Sequence, residues 1–376
     1  MKNKHGLYIH IPFCISRCKY CDFYKVTSKK WNATHNFFKS LEKELSQLPK
    51  NFQPLSIFIG GGTPTAISDS DYKLLISLLL KYVDKSRLIE WTSEANPSSL
   101  TKEKLQIMRE AGINRLSIGI QSFNDKSLKL LGRNHDSKIA INAYKQSKKY
   151  GFDNINIDLI QSIPNQNIKS IDCELEIVKS IMPDHISYYN LIYEPNTQLN
   201  NELENGKIKS IDDDLESDIY YHIVNTLEDF GYEHYEISNF ALNNKKSIHN
   251  LLYWQGDEYI GCGPSAHSHW KNKRFSKVSD IDEYISNIES SKSIIDMNEE
   301  LDFIKKSKET FTMWLRLTEG VNIIDFEKKI SSKICNIYNS KIDELIDLKL
   351  LEKNDGNIRI PKNKIFLSNT IMSELI

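Results

Sequence analysis

Residues 7–21, LYIHIPFCISRCKYC, hold the decisive pattern of the chain: a run of β-branched and aromatic residues at 7–13 that breaks into a loop carrying Cys14, Cys18 and Cys21. The run has the composition and length of a strand. The loop crowds three thiols into eight residues, while Cys173, Cys262 and Cys335 stand alone. Six cysteines would suit three disulfides, but this spacing points to a metal site instead.

Outward from that loop, further β-branched and aromatic runs fall at 56–59, 89–94, 115–120, 154–160 and 185–192, making six expected strands. Helical spacing separates them: Phe37, Leu41, Glu44, Leu45 and Leu48, then Tyr72, Leu75, Leu79 and Val83, then Leu105, Ile107, Met108 and Ala111. Thr101 ahead of Lys102-Glu103-Lys104 is a helix start, and Gly112, Gly151 and Gly231 follow helical runs as stops. Strands alternating with helices predict an α/β fold with a parallel sheet and right-handed crossovers. Six units suit a partial (β/α)6 TIM-like barrel, with a doubly wound sheet as second choice.

Near Ser238 the alternation stops, and the chain turns aromatic, His-rich and Gly-rich through HNLLYW at 249–254 and GCGPSAHSHW at 261–270. After Glu300 helical spacing returns and closes in LLEKNDGNIRIPKNKIFLS, a hairpin signal around Asp355-Gly356. A small, mainly helical, winged-helix-like C-terminal domain is expected there. The chain thus divides into a barrel at 1–235, a connecting region at 236–300 and a C-terminal domain at 301–376.

Composition excludes several classes. The 376 residues carry 49 Lys plus Arg against 50 Asp plus Glu, and a pI near 6.8 leaves no basic footprint for nucleic acid. Residues 301–376, with 13 Lys plus Arg against 11 Asp plus Glu, are expected to form a structural cap and not a DNA reader. The longest strongly apolar stretches, such as 74–80, fall far short of the ~18–20 residues of a transmembrane segment. No signal segment opens the chain, so a cytoplasmic location is expected.

Three thiolates from one loop suit a four-iron iron–sulfur cluster whose fourth iron stays open to a small molecule bearing an amine and a carboxylate. Zinc is the competing reading, but it wants four ligands in a closed site, and no second Cys-x2–4-Cys arm is present. Gly60-Gly61-Gly62-Thr63 follows the second strand, where bare backbone can approach a ligand. A phosphate loop is the alternative there, without its Gly-Lys-Ser/Thr ending. Glu94, Gln121 and Asp158 stand at other strand ends, where a barrel displays its active site. Glu94 or Asp158 can accept hydrogen bonds from ribose hydroxyls or an amine, and Arg133 can meet a carboxylate bidentately. The ordinary alternative for each is a helix cap or a barrel ion pair.

The Cys-x3-Cys-x2-Cys loop, with LYIHIPFC, GGGTPT, SEANP, IGIQSFN, LGRNHD and NIDLI in order over residues 7–160, resembles the radical S-adenosylmethionine (SAM) superfamily in its coproporphyrinogen-dehydrogenase-like branch. The resemblance implies a [4Fe–4S] cluster on Cys14, Cys18 and Cys21, and cleavage of SAM to a 5′-deoxyadenosyl radical. It implies that Tyr8, Gly61 and Glu94 face cluster-bound SAM. Tyr20, Gly62, Thr63, Gln121, Arg133 and Asp158 match positions lining a second SAM.

Two features move the resemblance toward the HemW group of haem chaperones. Phe23 stands where the dehydrogenases continue the loop with a further Cys, and 13 residues precede Cys14 where they carry a long extension. His249 to Trp254 matches the HNXXYW pattern associated in that group with haem binding. His249 would supply an axial imidazole, and Tyr253 and Trp254 flat apolar surface; in a helix, His249 and Tyr253 share a face. His267, His269 and Cys262 are rival ligands. ETFTMWLRLTEG at 309–320 resembles the C-terminal domain common to both groups. The expected function is a haem chaperone that passes haem to recipient haemoproteins, with cluster and SAM supporting transfer or a homodimer. The alternative is oxidative decarboxylation of coproporphyrinogen III.

Overall fold

The computed structural model describes residues 4–27, 34–338 and 340–376. Six parallel strands lie in sequence order through its centre: β1 (His5–Ile11), β2 (Ser56–Gly61), β3 (Glu90–Ala95), β4 (Arg115–Gln121), β5 (Ile155–Gln161) and β6 (His185–Asn190). All six expected strands are present. Between them run α1 (Thr34–Leu45), α2 (Asp69–Tyr82), α3 (Lys102–Ala111), α4 (Asp125–Leu130), α5 (Ser137–Lys149) and α6 (Ile168–Ile181). The Thr101 side chain caps α3 by accepting from Lys104 N, and Gly112 ends it in the left-handed region at φ +97°.

Strand periodicity sorts the side chains into two faces. Leu7, Ile9 and Ile11 on β1, Ile57 and Ile59 on β2, and Leu116, Ile118 and Ile120 on β4 are buried in the main core. The alternate positions, among them Tyr8, Ser56, Glu90, Glu94, Arg115, Ser117, Asn156, Asp158 and His185, turn to the barrel interior. That interior is polar, which is unusual for parallel strands covered by helices, and its polar groups need partners from the chain or from a ligand.

The sheet extends beyond the six strands at both edges. After α7 (Gln198–Glu204) and α8 (Asp213–Asp229), β7 (Glu233–Glu236) and β8 (Asn239–Ala241) form a hairpin whose β8 pairs antiparallel with β6. After α9 (Ile248–Trp254), β9 (Glu258–Cys262) pairs parallel with β1, Tyr8 opposite Gly261. β10 (His267–Trp270), β11 (Lys273–Lys277) and β12 (Ile295–Glu300) continue antiparallel outward. The twelve-stranded sheet keeps two free ends, so the barrel is open. Residues 236–300, expected as a connecting region, thus hold five whole strands of the barrel sheet, from Asn239 to Glu300. Their segments, such as HSHW and KRFSK, are short and carry no apolar alternation from which strands could be read.

α10 (Ile281–Glu289) packs on α1. Buried Glu44 of α1 accepts from Tyr284 Oη at 2.6 Å and Gly263 N at 2.8 Å, and pairs with Lys277, tying the added strands to the first helix. The C-terminal part holds α11 (Phe303–Trp314), α12 (Ile323–Ile330), α13 (Cys335–Tyr338) and α14 (Lys341–Asp347). Beside them lies a small sheet of β13 (Val321–Asn322), β14 (Glu352–Asn354) and β15 (Asn357–Arg359). Asp355 and Gly356 turn the expected hairpin with φ of +47° and +81°, the pattern of a type I′ turn. Phe311, Phe326 and Ile358 join the same core as the barrel strands.

Candidate functional site

The C-terminal ends of the parallel strands open on a cavity of about 540 Å³, within the usual range for small-molecule sites. Its walls bring together Cys14, Cys18, Tyr20, Cys21, Gly61, Gly62, Thr63, Glu94, Gln121, Arg133 and Asp158. Tyr8 is not among them. Its hydroxyl lies 3.1 Å from His10 Nδ1, and burial together with nearby Glu94 keeps the phenol protonated.

All three loop cysteines are free thiols. Cys14 Sγ lies 3.4 Å from Thr63 Oγ1, and burial pushes its thiol up to about 11. The loop is fixed from outside: Lys19 N donates to Leu131 O at 3.0 Å, Leu199 N donates to Lys19 O at 2.9 Å, and Lys19 Nζ pairs with Glu202 at 2.9 Å. Tyr20 packs against a satellite core of Leu131, Ile160, Ile163, Leu191 and Leu199. Among the described residues no three His, Cys, Asp or Glu side chains converge on the position of one ion. Cys14, Cys18 and Cys21 line one wall of the cavity, a three-thiol donor set that suits a four-iron cluster open to that cavity.

The glycine motif is shaped by contact. A Cβ on Gly60 would lie 2.9 Å from the Glu94 carboxyl, one on Gly62 2.8 Å from Phe13 O, and Gly61 has φ +103°. Gly61 N donates to Glu94 Oε2 at 3.2 Å. Burial, then the charge of Asp158, raises Glu94 to about 8, so its carboxyl holds a proton at neutral pH until a cation arrives. Asp158 accepts from Asn156 Nδ2 and Tyr189 Oη, each at 2.7 Å. Gln121 sits at a register shift between β4 and β5 with φ +74°, a strained backbone that turns its side chain into the cavity. Its buried Oε1 and the buried Nε of Arg133 have no partner, as expected of polar atoms awaiting a ligand. The cavity therefore fits a polar, amine-bearing cofactor.

Tyr189 and Ser117 also line this cavity and were not singled out from the sequence. The signal was period two: Tyr189 follows His185 and Ser187 on the interior face of β6.

The HNLLYW residues lie elsewhere. They form α9, which plugs the N-terminal end of the barrel. Glu90 accepts the backbone N–H groups of Ile248 and His249, both at 2.9 Å, and Arg115 stands 4.0 Å from Glu90. His249 is 1% exposed. Its Nδ1 lies 2.8 Å from Ser56 Oγ and its Nε2 2.7 Å from Tyr253 Oη, so neither ring nitrogen is open. Burial, then Arg115, lowers its pKa to about 3, which keeps the ring neutral. Trp254 stacks on the guanidinium of Arg316 at 4.3 Å, joining the plug to the C-terminal part. In this conformation, then, the three residues expected at haem are packing and hydrogen-bonding groups. Of the rivals, Cys262 is buried, with its thiol raised by burial and by Glu44, His269 is partly buried, and His267 is exposed on β10.

Comparison with known proteins agrees with this architecture. Residues 8–173 match the radical SAM superfamily and residues 304–367 the HemN C-terminal domain. Heme chaperone HemW of Bacillus subtilis (strain 168) is 32% identical over 373 residues, 98% of each chain. The mitochondrial radical S-adenosyl methionine domain-containing protein 1 of Danio rerio is 31% identical, over 99% of this chain and 86% of its own. Among solved structures, coproporphyrinogen III oxidase (HemN) from Escherichia coli superposes with a TM-score of 0.86 at 20% identity, over 99% of this chain and 90% of that one, and shares the fold. Full-length similarity, both domain matches and the cysteine loop agree: the chain belongs to the HemW family within the radical SAM superfamily.

Proposed function

We propose that the protein is a haem chaperone that binds haem and passes it to recipient haemoproteins, with a [4Fe–4S] cluster and SAM at the barrel mouth. The observation that carries this reading is full-length similarity to heme chaperones HemW of two bacteria, at 32% identity in both cases. The cavity mouth adds to it. Ile15, Phe23 and Ile192 are 46%, 71% and 63% exposed there, an apolar rim suited to a broad, flat ligand.

Cys14, Cys18 and Cys21 would hold the cluster. Bound there, it would supply single electrons and an open iron for the amine and carboxylate of SAM. Gly61, Gly62 and Thr63 would present backbone to the methionine end of SAM, and Glu94, once it gives up the proton it holds, would accept from the N–H groups of the amine. Asp158, steered by Asn156 and Tyr189, would accept from ribose hydroxyls. His249 does not carry the reading, because ligation through Nε2 would break its bond with Tyr253 and open the barrel floor.

The test is an anaerobic haem titration of cluster-reconstituted protein, followed by mixing with an apo-haemoprotein. Saturable binding and restored haemoprotein activity are expected. Absence of saturable binding, or consumption of coproporphyrinogen III coupled to 5′-deoxyadenosine release, overturns it. Sizing with and without SAM reads out a homodimer.

A further inference from the structure

Arg133 is not free to serve only a ligand carboxylate. Its Nη1 lies 3.2 Å from Cys18 Sγ, and its Nη2 donates to Gly119 O at 2.6 Å. We propose that Arg133 is a positioning residue of the iron–sulfur cluster, donating a hydrogen bond to the Cys18 thiolate that fixes this ligand and raises the cluster's reduction potential. The inference rests on the cluster assignment above.

Three observations support it. First, the same turn grips the cysteine loop twice at neighbouring residues, since Leu131 O accepts from Lys19 N at 3.0 Å while Arg133 reaches Cys18. Gly132, at φ +74°, permits this approach: a Cβ there would stand 3.0 Å from the Lys19 side chain and 3.2 Å from Lys19 N. Second, the guanidinium is itself anchored. Arg133 N donates to Leu128 O at 2.9 Å, and Gly119 leaves room above the strand end, where an added Cβ would lie 3.5 Å from Arg133 Nη2 and 2.9 Å from Gln121 Nε2. Third, the other cation on the cavity wall is placed differently. Lys25 Nζ donates to the carbonyls of Cys21 and Phe23, at 2.6 Å and 2.9 Å, and not to a sulfur.

The physics follows from charge. A thiolate that accepts a charge-assisted N–H···S bond gives less electron density to its iron, and the added electron of the reduced cluster is better tolerated. A planar fork can bridge sulfur and carbonyl at once, whereas a lysine ammonium at that position is a flexible point charge that does not reproduce the pair.

The experiment uses the full chain, reconstituted anaerobically without SAM, so that any role of Arg133 in SAM binding does not enter. Iron and sulfide content comes first, then the midpoint potential by EPR-monitored redox titration, then proton ENDOR of the reduced cluster after exchange into D2O. Arg133→Met is expected to shift the potential to more negative values and to remove one exchangeable-proton coupling. Arg133→Lys is expected to lose that coupling with a smaller shift, and Lys25→Met to keep it. Wild-type potential and coupling in Arg133→Met overturn the proposal, as does a shift in Arg133→Met matched by Lys25→Met with no coupling lost. Should Arg133→Met assemble no cluster, the coupling in Arg133→Lys decides. A wild type that holds no four-iron cluster overturns the underlying assignment instead, a result visible at the iron measurement.

Discussion

At the N-terminal ends of the parallel strands Glu90, His185 and His249 have both of their side-chain polar atoms engaged, although Arg115 Nε and the ring of His5 have no hydrogen-bond partner; at the C-terminal ends Gln121 and Arg133 keep unpartnered buried atoms on the wall of a cavity of about 540 Å³. The same strands and the same alternation build both ends. The difference is what covers them: the floor receives α9 from the chain itself, and the mouth is left to receive something else. An unpartnered polar atom therefore points to a ligand where it lines a cavity, and not where α9 and the strands bury it.

The sharpest test of that contrast lies at the mouth. Replacing Cys14, Cys18 and Cys21 together by Ala is expected to abolish iron binding after anaerobic reconstitution, with far-UV circular dichroism unchanged. Loss of fold instead would make the loop part of the scaffold, as the floor is.

Next comes the floor. His249→Ala removes a buried ring and strands the hydroxyls of Ser56 and Tyr253, at an expected cost of about 3 kcal/mol in urea unfolding. The position of the haem absorption band should not move. A moved band at unchanged stability would turn the floor into a ligand site and break the comparison. Acid should act in the same direction as the mutation. The folded ring prefers to be neutral, so its contribution is complete above pH 6.5 and is lost as pH falls toward about 3. Unfolding free energy followed down that range should fall less steeply in His249→Gln.

A smaller effect is expected at Glu94. With the Glu94 pKa raised to about 8, SAM binding at pH 7 should draw up to one proton from this carboxyl, visible as a buffer-dependent heat of binding, and affinity should rise with pH toward 8. Glu94→Gln should bind with correspondingly less proton release, the remainder coming from the SAM amine. The smallest is Trp254→Leu, which forfeits the stack on Arg316 and should cost about 1 kcal/mol, with faster amide exchange in α11.

Much of this contrast was legible beforehand, and unevenly. The six parallel strands announced themselves through β-branched runs, and the mouth through polar residues that terminate them. The hairpin at Asp355-Gly356 was equally plain, because few residue pairs tolerate two positive φ angles. The outer strands were not legible, since β10 and β11 are too short and polar to show alternation and are strands only because β9 offers them an edge. The place of HNLLYW in the fold was not legible for a related reason. Its His and aromatic residues describe a ligand site and a packed plug equally well, and its seat at the barrel floor is set by Ser56, Phe58 and Glu90, more than 150 residues away in sequence. Tyr189 lies on the inward face of β6 two residues beyond Ser187, so period two alone places it at the mouth.

The late position of α9 has a consequence for biosynthesis. When β6 leaves the ribosome, Glu90, Arg115 and His185 already face an interior that residues 235–254 have yet to close, and β1 lacks the neighbour that β9 later supplies. The nascent barrel thus spends the synthesis of roughly 60 further residues, several seconds at ordinary elongation rates, with an exposed strand edge and an unfilled polar base. Closure of the barrel floor waits on a seven-residue helix, and truncation before residue 248 should leave an aggregation-prone sheet and not a smaller working barrel, a difference read by light scattering.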